Sequence, residues 1–276
     1  MLSLTRIEYL KLSHKLRSFL GSMIITALLA LMAIGFALHP PGMPGGVAMQ
    51  AGFVMVGSPL SAFLVTRMVM EVLLVLLIPF ICLGVGDLVA GEAEDHTLRT
   101  VLCRPPSRAR FLAAKVAAAF GFTGAHVIFV IGVPLVVFGF IFGYGPMFIF
   151  GQKVAIIGRG EALLRLLGSG LYMIWGLMVL ASLGLLLSVL VEKAIGPAIG
   201  TFAIFSALMI IGTIPLGFLK TISPYLFTTQ LFKWSLLVSE PIPWGEVTRG
   251  IVTLGVWSGV CLAAAFLIFS RKDITC

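Results

Sequence analysis

Long apolar stretches separated by short polar ones set the pattern of this chain. Phe19–Leu38 reads FLGSMIITALLALMAIGFAL without a single charge, and a helix needs about 20 apolar residues to cross a membrane. A second stretch, 72–86, is uncharged but short, with Glu71 and Asp87 at its flanks. Extended to 68–90 it spans, and the two acids then lie near the interfaces. Residues 116–152 hold no Asp, Glu, Lys or Arg. That run is too long for one crossing, so the helix is placed at 116–142, with Gly143, Gly145 and Pro146 ending it. Three further spans fall at 166–191, 194–219 and 250–270. Only Glu192 and Lys193 separate the fourth from the fifth, which makes those two antiparallel neighbours joined by a tight turn. The pattern predicts an all-α integral membrane protein, a single six-span domain over residues 1–276.

The pieces outside the spans carry their own signals. Leu4, Ile7, Leu10, Leu16 and Phe19 recur at steps of three or a multiple of three, while Arg6, Lys11, Lys15 and Arg17 fall largely elsewhere around the helix. Residues 1–18 therefore read as a basic amphipathic helix lying in the headgroup layer. The connections 39–66 and 220–247 are rich in Gly and Pro or in Pro and Trp. Both are expected to dip into one leaflet, with the Trp residues at the interface.

Composition agrees with this picture. The chain is 59% hydrophobic and 11% charged, against about 25% charged in soluble domains. Its net charge of +8 would suggest nucleic acid in a soluble protein. Here the basic residues cluster beside apolar runs, where they act as topology signals and lipid-headgroup contacts, so no nucleic-acid partner is expected. With the N-terminus inside, twelve Lys and Arg residues face the cytoplasm and seven face outward, which puts both termini in the cytoplasm. The four cysteines show no metal-type spacing, and Cys82 and Cys261 sit inside apolar runs as small hydrophobes. No metal site and no catalytic constellation is expected.

One stretch stands apart. GEAEDHTLRTVLCRPPSRAR, residues 91–110, packs seven charges into twenty positions. Acids and Thr97 suit the first turn of a helix, whose unpaired N–H groups favour negative charge. Leu98, Val101 and Leu102 then share one apolar face, and Pro105–Pro106 stop the helix. Ser107 can cap the next helix, which carries Arg108, Arg110 and Lys115 into the third span. The loop over 91–115 is thus a short cytoplasmic helix whose apolar face needs a partner.

These residues resemble the coupling loop of ABC-2-type transporter permeases. The resemblance rests on Glu92, Glu94, Thr97, Leu98, Arg99, Arg104, Pro105, Ser107, Arg108 and Lys115, with His96 a departure where that family often has Gly. The interfacial helix, the six spans and the near-absent fourth loop are similar to that family too. The resemblance implies a permease subunit of the bacterial or archaeal cell membrane, paired with a second copy or a paralogue. It implies a cytoplasmic ATPase partner that binds ATP and Mg, and transport that is more often export. Glu92, Glu94, Thr97, Leu98, Arg99, Val101, Leu102, Arg104 and Arg108 would then couple to the ATPase, with Glu192 and Lys193 as a second coupling turn. The chain has no G-x-x-x-x-G-K-[ST] to cradle phosphates; the nearest text, GQKVAIIGRG at 151–160, has the wrong order. It is therefore expected to carry no cofactor and no enzyme activity of its own.

Other charges near the membrane have two readings each. Arg67 and Glu71, at i and i+4, either pair structurally or gate a pathway. Asp87 reads as an interface or coupling residue, or as a proton relay, and His126 as a hydrogen-bonded structural residue or a substrate ligand. The alternative for the whole chain is a six-helix secondary transporter or membrane scaffold without an ATPase. Secondary carriers usually show charged or broken helices at mid-membrane, which are scarce here.

Overall fold

A computed structural model of the chain describes residues 16–38, 60–95, 107–150, 154–214 and 217–271. The expected interfacial helix lies almost wholly outside these residues, as does the 39–59 part of the connection after α1.

The apolar runs form the long helices, most of which extend past the expected spans. α1 covers Leu16–Leu38, α2 Ala62–Glu94, α3 Arg108–Phe142, α4 Arg159–Leu190, α5 Ile195–Thr213 and, after two short helices described below, α8 Trp244–Arg271. Five of them, α2, α3, α4, α5 and α8, are long and apolar enough to cross a membrane. In α1 the apolar stretch Gly21–Phe36 is shorter. The chain is thus a multi-pass helical membrane protein. The expected ends at 90, 116, 166 and 250 are displaced outward, because helical backbone continues through polar residues wherever these find partners, whereas the end expected at 219 falls back to Thr213. At 33 residues, α2 reaches about 50 Å, well past the roughly 30 Å hydrocarbon layer.

α2 and α4 form the centre of the bundle. Val65, Val69, Leu73, Leu77, Ile81 and Val85 repeat every four residues along α2 and are all buried. On α4, Leu166, Met173, Leu177 and Leu180 bury against them in the same apolar core. By contrast α5 and α8 turn Ile199, Ile210, Val252, Val256 and Val260 outward, which suits lipid and would not suit water.

Contacts at the helix ends sort the bundle into two ends. At one, Ala62 N–H donates to Gly143 O at 3.1 Å, which joins the start of α2 to the end of α3. Gly143 has φ +70°, a conformation that glycine adopts without strain. At the other, Glu94 meets Ala194 and Arg108 meets Ser270.

Two features depart from the expected pattern. Residues 147–157 form a two-stranded antiparallel ribbon, β1 (Met147–Phe150) against β2 (Val154–Ile157), with Met147 opposite Ile157. Met147, Ile149 and Ile157 bury in a satellite core with Phe63 and Val238, while Ile156 is exposed, so the ribbon has one inner face. The second departure follows α5. α6 (Gly217–Ile222), a 3-10 turn at Ser223–Tyr225, α7 (Phe227–Leu231) and a 3-10 stretch at Phe232–Val238 then pack within the bundle. Trp234 is buried there, not interfacial as the sequence suggests.

From α7 onward the segment follows one face of α4 toward its start, in steps of three and four. Arg165 donates to Ser239 O at 3.0 Å and pairs with Glu161 and Glu240. Ser169 Oγ donates to Trp234 O at 3.2 Å, and Tyr172 Oη donates to Gln230 O at 3.0 Å. At Gly176, about halfway along α4, Leu231 fills the space that a Cβ would need. Phe227 packs its ring on Phe205 of α5 and Trp257 of α8. The breaks between these short helices leave backbone groups that lipid cannot satisfy, and α4, α5 and α8 enclose them.

Candidate functional site

The charged stretch singled out in the sequence begins where α2 ends. Thr97, Leu98, Arg99, Val101, Leu102 and Arg104 lie outside the described residues. What the structure shows is the frame on both sides of them, and it is built from α2, α3, α4 and the start of α5.

The last turns of α2 are pinned from two directions. Ser188, near the end of α4, donates its hydroxyl to Gly86 O at 2.7 Å. The same oxygen accepts from Val89 N–H at 3.0 Å and Ala90 N–H at 2.9 Å. One buried serine thus bonds both sides of a single turn of α2, and a hydroxyl has the one donor and two lone pairs this needs. On the α5 side, a Cβ built on Gly86 would stand 2.8 Å from the backbone nitrogen of Ala198. Two helix backbones meet there, and only a hydrogen fits between them.

Glu94 extends the joint. Its Oε2 accepts a hydrogen bond from Ala194 N–H at 2.7 Å. Ala194 immediately precedes α5, so the carboxylate occupies the positive end of that helix, where unpaired N–H groups and the dipole both favour it. This bond ties the end of α2 to the turn that holds Glu192 and Lys193. Both of those side chains are exposed.

Lys115 holds the opposite side. Ser107 caps α3 as the sequence suggests, accepting from Arg110 N–H at 3.4 Å. One turn further on, Lys115 is fully buried. Its Nζ lies 3.1 Å from Glu92 Oε2 and donates to Leu88 O at 2.5 Å, and it sits 4.9 Å over the Phe111 ring. A buried ammonium is tolerated only when paired and hydrogen-bonded, and these three partners come from the adjoining turns of α2 and α3. Glu92 therefore points inward across the helix pair. Asp87 is also buried, its carboxylate lying over Gly91. Arg108 donates to Ser270 O at 3.3 Å, and Phe111 stacks on Phe269, which ties the start of α3 to the end of α8.

The structure therefore brings Glu92, Glu94 and Arg108 to one end of the bundle with Glu192 and Lys193. Arg67 and Glu71 lie toward the opposite end of α2, 4.0 Å apart at closest approach. His126 Nδ1 bonds Phe122 O at 2.9 Å, which fits the structural reading of that residue. Among the described residues, no three His, Cys, Asp or Glu side chains converge as a metal site would require. The sequence reading missed Ser188 and Gly86, although the small residues GPAIG at 196–200, which hold Ala198, permit a close helix approach on the α5 side. A lone serine four residues before the Glu192–Lys193 turn is the only signal of the first. It also missed that Lys115 and Glu92, at the two ends of the charged stretch, meet each other.

The chain belongs to a protein family described as "Protein of unknown function (DUF2705)", which matches residues 19–275. No curated protein matches the chain.

Proposed function

We propose that this DUF2705 chain is the membrane-spanning permease subunit of an ATP-driven transporter of the ABC-2 type. In this reading α1 is the first of six spans, and both termini and the Glu94 end face the cytoplasm of a bacterial or archaeal cell. The chain pairs with a second copy or a paralogue, and ATP and Mg are bound by a separate cytoplasmic ATPase. The observation that supports the reading best is the 2.7 Å bond from Ala194 N–H to Glu94. It places the end of α2 beside the exposed Glu192–Lys193 turn, so that a protein docked on that turn would also meet the end of α2.

Mechanically the end of α2 suits such a role. Ser188, Glu94 and the packing at Gly86 fasten the last turns of α2 to α4 and α5. A push on residues 96–106 is then delivered to three helices together, which suits a rigid-body switch between two packed states. The apolar face of Leu98, Val101 and Leu102 supplies the contact, and Arg99 and Arg104 supply its charged rim. Export is the expected direction, since the resemblance implies it more often than import.

The test is co-purification of the full chain from its native membrane in mild detergent. A protein carrying G-x-x-x-x-G-K-[ST] and hydrolysing ATP is expected to accompany the parent chain. Leu98→Asp with Val101→Asp is expected to reduce that recovery at least about tenfold, because two buried charges at an apolar interface each cost a few kcal/mol. Recovery of no such ATPase in several mild detergents, or full retention by the double variant, would refute the proposal.

A further inference from the structure

Gln230 belongs to α7, the short helix enclosed by α4, α5 and α8, and it is fully buried. Its amide has one sensible orientation, because Nε2 donates to Pro224 O. Turning the amide over would set two carbonyl oxygens against each other. Oε1 therefore stays on the opposite side, and there it accepts no hydrogen bond. A buried amide oxygen in that state is rare, and leaving it without a donor is costly.

The surroundings of Oε1 define which donor fits. A Cβ built on Gly250 of α8 would stand 3.2 Å from Gln230 Oε1 and would run into Tyr172 Oη of α4. Glycine at 250 is thus what admits the Tyr172 hydroxyl to this corner. That hydroxyl gives its proton to Gln230 O at 3.0 Å. It keeps acceptor capacity and has no second proton for Oε1. Two neutral oxygens, one from α4 and one from α7, therefore meet beside Gly250, and neither can donate to the other.

We propose that Gln230 and Tyr172 bind an internal water, which donates one proton to Gln230 Oε1 and the other to Tyr172 Oη. Two hydrogen bonds of about 2.8 Å each reach both oxygens from one point, and a buried water takes two to four polar partners. A cation suits the corner less well. Two neutral oxygens are too few to replace its hydration shell, and the charge next to Gly250 in the chain is Arg249, itself a cation, 5.0 Å over the Tyr225 ring. Arg165 and Ser169 close their contacts with the broken segment directly. At Tyr172 the water completes the contact, next to a break in the helix. The site rests on the packing of α4, α7 and α8 and not on the transport reading.

The test is X-ray radiolytic labelling of the full chain in mild detergent, read by mass spectrometry. Radiolysis turns a bound water into a hydroxyl radical that oxidises its immediate neighbours. Tyr172 is expected to label well above Phe227, an equally buried ring of the same segment's core. Gln230→Met keeps the volume and removes the amide, and it is expected to bring Tyr172 down to the level of Phe227. Labelling of Tyr172 no faster than Phe227, or unchanged in Gln230→Met, would overturn the site. If Gln230→Met does not fold, the parent chain decides through a rapid jump into oxygen-18 water before exposure. A held water makes the heavy label at Tyr172 lag behind that at exposed Tyr225. Uptake at the same rate would mean that bulk solvent reaches Tyr172, and the held water would be refuted. A rise in the unfolding midpoint with sodium or potassium over choline at equal ionic strength, lost in Gln230→Met, would overturn water as the occupant.

Discussion

Glu92→Ala is expected to destabilise the protein by about 3–5 kcal/mol, because it leaves a buried ammonium without its carboxylate. Lys115 is fully buried, and the carboxylate 3.1 Å away is its charge partner; Leu88 O and the Phe111 ring supply only dipoles. Lys115→Met with Glu92→Met removes both charges and fills similar volume, and such replacements are often neutral or stabilising. The double variant is therefore expected to recover most of the loss. The two can be compared by the fraction of protein that stays monodisperse in detergent after a temperature ramp. A double variant as unstable as Glu92→Ala would mean that the Lys115–Leu88 bond, and not charge pairing, holds the α2–α3 joint.

Gly86→Val carries the other large effect. A Cβ at that position stands 2.8 Å from Ala198 N, 3.1 Å from Ala198 Cα and 3.2 Å from Ala198 Cβ. None of these atoms belongs to a flexible side chain that could move aside, so α2 and α5 must separate. Separation strains the Ser188 bonds to Gly86, Val89 and Ala90 and the Glu94 bond to Ala194. A loss of about 3 kcal/mol or more is expected, at the upper end of overpacking costs. Gly132→Ala is the matched control. Nothing lies within 4 Å of its built Cβ, and alanine is the better helix former, so the control should melt at or slightly above the parent temperature. Equal melting of the two variants would show that α2 and α5 are not in backbone contact.

The apolar runs announced the long helices because lipid imposes one rule on every residue of a span, and that rule is visible in composition alone. The ends of the spans were less legible. Charges at 92 and 115 look like loop residues in a linear reading, yet the structure buries them against each other and carries α2 on to Glu94. Pairing between residues on different helices leaves no local signal. The same holds for the broken helical segment after α5. Its Pro and Trp content suggested a surface connection, whereas its fit depends on Arg165, Ser169, Tyr172 and Gly176 lining one face of α4. Those four residues form a pattern only once their partners are known. The ribbon at 147–157 was missed because MFIF and VAII are both too apolar to stand out in this chain.

The candidate site divides in the same way. Ser107 as a cap and the exposed Glu192–Lys193 turn follow from the sequence. Ser188 as the fastening between α2 and α4 does not, since a buried serine in an apolar helix usually bonds its own backbone.

The central claim is that the end of the bundle carrying Glu94 and Lys193 works against a cytoplasmic ATPase. The most direct measurement is site-specific photo-crosslinking in intact membranes, with the probe at Lys193 in one variant and at Lys233, which pairs with Glu246 toward the other end, in a second. The account predicts an adduct from position 193 to a chain bearing the G-x-x-x-x-G-K-[ST] phosphate loop, and none from position 233. An adduct to such a chain from position 233, or none from position 193, would contradict it.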